Sequence, residues 1–279
     1  MRKTIRIAVF VLAVAMILFA GYKVFDILAE YREADETYES IAEEFRHPAT
    51  AAPETSAPAT EPPVTEPSAT DVPVTSEPST EPPETVPVTM PFSVDFEKLW
   101  RKNDDIVGWI YSEGTPIDYP IVQAADNDYY LRRMLNKRYN VAGSIFMDYR
   151  SAPDLSDPLT VIYGHNMKNS KMFGTLTEYG KEGYYNAHPS LWILTPAGGF
   201  RIDVVAGFDL GPNDAIYQYP NSEEEMSSWL DVLADHPSDF TSRETIGEGD
   251  RVIMLSTCSY AFDNARYVLV GKLVPAEQN

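Results

Sequence analysis

The sequence predicts a mainly β domain, a closed barrel or a sandwich, carried behind an apolar N-terminal segment and a proline-rich stretch. Three observations carry this prediction. Between residues 92 and 279 stand eight short runs rich in β-branched and aromatic residues: GWIYS, YPIVQ, SIFMDY, LTVIYG, SLWILTP, FRIDVVAGF, RVIMLSTC and RYVLVGKLV. Turn signals such as GTP, PAGG and GEGD separate them. Few helical patterns lie between them, which favours a closed antiparallel barrel or sandwich over alternating strand–helix units. The region has the length of one domain with a substantial core.

The elements follow in chain order. Residues 1–29 read as a membrane anchor. Arg2, Lys3 and Arg6 precede an apolar run at 7–22, and no small-residue cleavage site follows it. The Lys/Arg excess places the N-terminus in the cytoplasm and the remainder of the chain outside; a cleaved signal peptide is the alternative. Residues 30–47 predict a short helix leaving the membrane, because Tyr31, Ala34, Tyr38, Ile41 and Phe45 recur at spacings of 3, 4, 3 and 4. Two heptads are too few for a coiled coil, and weak self-association is the alternative use of the stripe. Residues 48–91 contain no Lys, Arg or aromatic residue and are rich in Pro, Thr, Glu and Ala. Such a segment buries too little apolar surface to offset its ordering entropy. It reads as a stiff disordered stalk reaching on the order of 100 Å at ~3.1 Å per residue. Residues 92–279 are the globular domain. It opens with a predicted helix, DFEKLWRKNDDI, and a second helix, SEEEMSSWLDVLADH, falls between late strands. Ser222 is its expected N-cap, and Glu223, Glu224 and Glu225 suit the positive end of its dipole rather than a metal.

Composition excludes several function classes. The net charge of −20 argues against nucleic-acid binding and against peripheral docking on anionic lipid. One cysteine, Cys258, forms no internal disulfide and excludes CxxC zinc sites. A leftover thiol in an exported chain is either a small buried hydrophobe or a reactive group.

The position of Cys258 favours reactivity. In RVIMLSTC, Val252, Met254, Ser256 and Cys258 share one face and Ile253, Leu255 and Thr257 the other. Both faces are largely apolar, so the strand is central and Cys258 ends it. If this strand and RYVLVGKLV form a hairpin, Arg266 starts where Cys258 stops. An arginine there favours a thiolate and donates to a developing oxyanion; pairing with Asp263 is the structural alternative. Thiol acyl transfer also needs an acid/base, most often histidine. His47 lies in the stalk region, and His188 and His236 precede prolines and read as turn or helix-end residues. His165, in YGHNM, ends an apolar strand as Cys258 does. There is no GxSxG, HExxH, Walker A or GxGxxG motif, and nothing asks for a metal or cofactor.

LSTC at a strand end, Arg eight residues on, and the upstream YGHNM together resemble the sortases, cysteine transpeptidases that attach proteins to Gram-positive cell walls. The resemblance runs from NDDIVGWI to the last strand. TVIYGHNMKNSKMFGTL and the helix at 222–236 resemble class B. Where the family often has TLxTC, this chain has Met254 before Leu255. The resemblance implies an eight-stranded closed barrel with an added N-terminal helix. It implies a sorting signal of the LPxTG kind or variants such as NPxTN. Cys258 is then the nucleophile, His165 the acid/base and Arg266 the oxyanion or substrate-backbone donor. The acceptor is an amine of a peptidoglycan precursor or another protein. Asn127 and Leu131 are expected to line the signal groove, Ser256 and Thr257 its floor, and Ile216 and Tyr217 the loop before the late helix. L,D-transpeptidases would place Gly before the cysteine, and papain-like peptidases would place Cys before His. A non-catalytic stalked β-domain for adhesion or scaffolding explains the anchor but not the joint placement of the three residues.

Overall fold

The structure, a computed structural model, describes residues 2–49, 87–220 and 222–278. Helix α1 (Arg2–Phe45) runs unbroken from the basic N-terminus through the apolar run and on through the Tyr31–Phe45 stripe. Its two halves meet different surroundings. The most apolar 18-residue window has a mean hydropathy of 2.4, and none of it is buried against the rest of the protein. The stripe behaves oppositely: Ala34, Tyr38 and Phe45 are 2, 3 and 1 % exposed and belong to the main core. Tyr38 donates from its hydroxyl to the Gly143 carbonyl (2.7 Å) and packs edge-on against Tyr119, with ring centroids 5.4 Å apart. The helical spacing legible at 30–47 is therefore the face that docks on the barrel, continuous with the preceding helix rather than separate from it.

Immediately after α1, β1 (Arg46–Pro48) pairs antiparallel with β2 (Phe92–Val94), with Pro48 opposite Phe92. The Ala49 amide donates to the Pro91 carbonyl (2.9 Å). Val88 and Met90 are tied in turn to Glu277 at the end of the last strand. The stalk expected at 48–91 falls mostly on 50–86, outside the described residues, but both its ends are described and lie side by side. The barrel thus meets α1 before the chain enters the proline-rich segment. The separation of barrel from apolar helix is set by α1, and the folded unit includes the second half of that helix as well as residues 92–278.

All eight expected strands form: β3 (Ile106–Tyr111), β4 (Asp118–Val122), β5 (Ile145–Met147), β6 (Leu159–Tyr163), β7 (Ser190–Thr195), β8 (Gly198–Leu210), β9 (Val252–Cys258) and β10 (Arg266–Ala276). They close into a barrel of order β10-β8-β7-β3-β4-β5-β6-β9. The barrel is mixed, not purely antiparallel, because β4–β5 and β6–β9 pair in parallel. Parallel neighbours need long crossovers, and the chain supplies them as the 123–144 loop and as everything between β6 and β9. Helix α2 (Phe96–Trp100), capped by Asp95, is shorter than its pattern. Asn103 ends that region by accepting from the Asp105 amide and donating to Tyr130 and to the Leu135 carbonyl. A short helix α3 (Tyr184–Ala187) precedes β7 and had no sequence signal. Helix α4 (Glu223–Asp235) starts as expected, with Ser222 accepting from the Glu225 amide at 3.1 Å.

Two apolar layers sandwich β9. Ile253 and Leu255 face the barrel interior, whereas Val252 and Met254 face outward beneath Met226, Trp229 and Leu233 of α4. This accounts for a strand apolar on both faces.

The docking of α1 generates a prediction. Tyr38→Phe should cost about 1 kcal/mol, the net worth of a hydrogen bond. Tyr38→Ala should cost on the order of 3 kcal/mol, as expected for emptying a buried aromatic site. A chain beginning at residue 92 should unfold at lower urea than one beginning at residue 30. Coincident unfolding curves would show that α1 adds nothing to the barrel.

Candidate active site

The outer face of β9 is covered progressively less toward its end. Val252 and Met254 lie under α4, Ser256 is covered by Tyr217, whose hydroxyl is 3.2 Å from Ser256 Oγ, and Cys258 is exposed. Its two flanking strands bring the other candidates to it. On one side β10 runs antiparallel with Arg266 directly opposite Cys258. Arg266 Nη1 donates to Cys258 Sγ at 3.3 Å. The connecting loop is closed by the Ser259 amide on the Ala265 carbonyl (2.9 Å), with Asn264 at φ 59°. Among the described residues no ion pair joins Asp263 to Arg266, so the guanidinium is directed at the sulfur.

On the other side β6 runs parallel to β9, with Leu159 beside Val252 and Tyr163 beside Ser256, an offset of 93. His165 lies two residues beyond the last paired residue of β6 and borders the same groove as Cys258. The pairing persists past the strand end: the Gly164 amide donates to the Ser256 carbonyl (3.1 Å) and Asn166 Nδ2 to the Cys258 carbonyl (2.9 Å). A Cβ at position 164 would lie 2.5 Å from Ile145 Cδ1 and 2.7 Å from the buried Phe173 ring, so any larger residue there would displace that ring. The loop after His165 is held from α1. Lys171 pairs with Glu39 at 2.8 Å, and Asn169 donates to Asp35 at 3.1 Å. Tyr119 Oη accepts from the Met172 amide.

His165 Nε2 donates to the Leu131 carbonyl, which fixes the ring and leaves Nδ1 as the lone-pair nitrogen of the neutral form. Burial depresses its pKa below the ordinary histidine value; the Leu131 carbonyl opposes this and the Arg132 charge adds to it.

A groove of about 360 Å³ opens over these residues. Cys258, His165, Arg266, Asn127, Leu131, Ser256, Thr257 and Tyr217 all border it. Thr257 does so with its side chain turned inward, 2 % exposed and without a hydrogen-bond partner for its hydroxyl. Ile216 is not among the bordering residues. It is fully buried in the α4 layer, and its carbonyl accepts from Trp229 Nε1 at 2.8 Å. The alternation Ile216–Tyr217 puts one side chain under α4 and the other over the groove.

Sequence reading missed Phe146, Arg150 and Tyr163, which also border the groove. Tyr163 had a signal, lying two residues before His165 on the same strand face. Arg150 belongs to a network centred on buried Asp148, which accepts two bonds from its guanidinium (2.9 and 2.8 Å), one from Asn127 Nδ2 (3.0 Å) and one from Tyr163 Oη (3.0 Å). Burial pushes the Asp148 carboxyl up, but the Arg150 and Asn127 bonds outweigh it and hold it below its ordinary value. Asn127 is thereby oriented from below. The remaining histidines sit away from the groove as expected: His188 ends α3, and His236 ends α4 and pairs with Asp214 at 3.0 Å.

A mixed eight-stranded barrel with an exposed cysteine between arginine and histidine at adjacent strand ends fits a sortase. Comparison with known proteins agrees. The chain is 35 % identical over 184 residues to sortase B of Listeria monocytogenes and 30 % over 182 residues to sortase B of Staphylococcus aureus, covering 64 % of this chain and 74 % of each relative. A solved Staphylococcus aureus sortase B–substrate complex matches with a TM-score of 0.61 at 29 % identity, over 65 % of this chain and 85 % of that one. Clostridium perfringens sortase B matches with a TM-score of 0.60 at 31 % identity, over 64 % of this chain and all of that one. No protein-family profile matches the chain. The chain belongs to the sortase family and is most like class B; it is a sortase transpeptidase.

The His165 environment sets a pH test. Its folded pKa lies below the unfolded value of 6.5. In the window beneath 6.5 the unfolded chain takes up the proton first, so stability falls as pH drops through that window and is unaffected above it. Ring NMR should show His165 titrating below 6.5, and His165→Asn should flatten the stability profile between pH 7 and 5. A titration above 6.5 would reverse the sign and refute the burial argument.

Proposed function

We propose that this transpeptidase uses Cys258 as its nucleophile, His165 as acid/base and Arg266 as oxyanion donor. The observation that carries the reading is the exposed Cys258 sulfur receiving the Arg266 guanidinium at 3.3 Å, with His165, just past the end of β6, bordering the same groove. Cys258 attacks the threonine carbonyl of an LPxTG- or NPxTN-like sorting signal laid in the groove. The tetrahedral oxyanion takes hydrogen bonds from Arg266, which stays protonated. His165 protonates the leaving amine as the peptide bond breaks, leaving a thioester on Cys258. It then takes the proton from an incoming amine of a peptidoglycan precursor or another protein, which displaces the sulfur. Water in place of the amine gives hydrolysis as a side reaction. Asn127, Leu131 and Tyr217 position the signal.

The same reading anchors the enzyme by the unburied apolar half of α1, basic end in the cytoplasm and barrel outside. A non-catalytic surface domain is the alternative. It gives no reason for an arginine aimed at an exposed thiol.

Cys258→Ala should abolish turnover with the fold intact. His165→Ala and Arg266→Ala should each lower it by ~10²–10⁴-fold, the usual size of acid/base and oxyanion contributions. Mass spectrometry of the chain from residue 30 onward, incubated with LPxTG-like and NPxTN-like peptides with and without amines, reads both thioester and product. Near-normal turnover in the Arg266 variant would remove its assigned role, and a Cys258 inert to methanethiosulfonate would favour the non-catalytic domain.

A further inference from the structure

We infer that the loop at 132–139 is a membrane-surface contact, built to meet anionic lipid headgroups; this rests on the reading of α1 as a membrane anchor. The loop's placement comes from α1. The first residues of the helix to touch the barrel are Glu30, Tyr31 and Glu33; Tyr31 packs on the main core, and the three polar contacts of the two glutamates are with this loop and the two residues after it. Asn140 Nδ2 donates to the Glu30 carbonyl (3.0 Å), the Val141 amide to the Glu30 carboxylate (3.0 Å), and Arg138 lies 3.5 Å from Glu33. Leu28, two residues earlier, is still exposed and apolar. At 1.5 Å per residue that is about 3 Å along the helix axis. The headgroup layer is roughly 5–7 Å deep on each side of the hydrocarbon, so the loop stands within it.

The chemistry of the loop matches that position. Residues 130–141, YLRRMLNKRYNV, hold Arg132, Arg133, Lys137 and Arg138 and no acid, in a chain of net charge −20. Arg132, Lys137, Arg138 and Tyr139 are exposed, Tyr139 by 63 %. Exposed tyrosine beside Lys and Arg is the composition of a membrane interface. The loop is preformed: the Met134 amide donates to the Arg138 carbonyl (3.0 Å), the Lys137 amide to the Met134 carbonyl (2.8 Å), and Arg133 bridges to Tyr139. Lys137 also pairs with exposed Asp104 and half-buried Asp105, and Arg138 with Glu33.

The acidity of the whole chain argues against free docking on anionic lipid, but two facts reverse it here. Apart from Glu30, Glu33, Asp104 and Asp105, which touch the loop, charges farther than a Debye length, about 8 Å at physiological salt, are largely screened. A loop already tethered at the surface also has a high effective concentration there. The contact has a bearing on the groove. Leu131, next to Arg132, borders it and holds His165, and the His165 loop meets α1 at Asp35 and Glu39. These lie roughly 10–17 Å beyond Leu28 along the helix. Headgroup contact at 132–139 holds the groove at that height.

The test uses the full chain in nanodiscs of phosphatidylcholine with or without phosphatidylglycerol. In a Cys258→Ala background, Tyr139→Cys and, separately, Ile17→Cys carry a nitroxide, and collision with oxygen against a water-soluble nickel complex reports depth. The expected result is a hydrocarbon signal at 17 and an interfacial signal at 139. The 139 signal should deepen with phosphatidylglycerol and lose that dependence in Lys137→Glu/Arg138→Glu. A label at 139 as water-accessible as one at Arg243→Cys, with 17 in lipid, overturns the inference and leaves the anchor standing. A water-accessible label at 17 overturns the anchor and the inference together.

Discussion

The site depends on the register of β9 between its two neighbours. The antiparallel pairing with β10 places Arg266 opposite Cys258, and the parallel pairing with β6, which ends at Tyr163 beside Ser256, delivers His165 to the same groove. A slip of one residue in either pairing would turn the partner to the opposite face of the wall. That is resisted by burial on both sides of β9: Ile253 and Leu255 in the interior, Val252 and Met254 beneath α4. The Cys258 end of the strand is thus positioned by apolar residues that lie away from the groove.

Cover on the outer face determines which residue of β9 meets solvent. Helix α4 and the turn at Ile216–Tyr217 seal most of the β6–β9–β10 face, and the seal stops one residue pair short of Cys258. The opposite rim of the groove is built on Asp148, an acid with almost no access to water. Removing one partner from a buried charge pair is costly, so its five bonds hold Arg150, Asn127 and Tyr163 in a single arrangement. The side chains facing the groove are therefore set before a peptide arrives.

Much of this was legible in the residues. Each of the eight strands announced itself by β-branched and aromatic runs, Ser222 by its place before three glutamates, and the β9–β10 hairpin by the spacing of Cys258 and Arg266. Strand direction was not legible: a short run such as SIFMDY reads alike in either sense, and the two parallel pairs depend on where long crossovers return. The Asp148 network was hidden because its members, Asn127, Asp148, Arg150 and Tyr163, come from separate segments with no shared periodicity. Ile216 and Tyr217 looked equivalent in a loop; only α4 distinguishes them, by covering one and not the other. The helical stripe at Tyr31–Phe45 was visible, but what it packs against was not, since the partner surface is assembled from β4, Gly143 and Ser144.

The short ladder joining β1 to β2 carries a topological consequence for the acidic, proline-rich residues 50–86. The chain leaves and re-enters the described fold at one place, where the Ala49 amide meets the Pro91 carbonyl. Doubling the length of a segment whose ends meet costs only about 0.6 kcal/mol of closure entropy, so its sequence is free to lengthen or shrink without shifting the barrel. A protease cutting there would yield two fragments still clasped through Tyr38, Phe45 and the β1–β2 pairing, and the enzyme would not be shed from its helix.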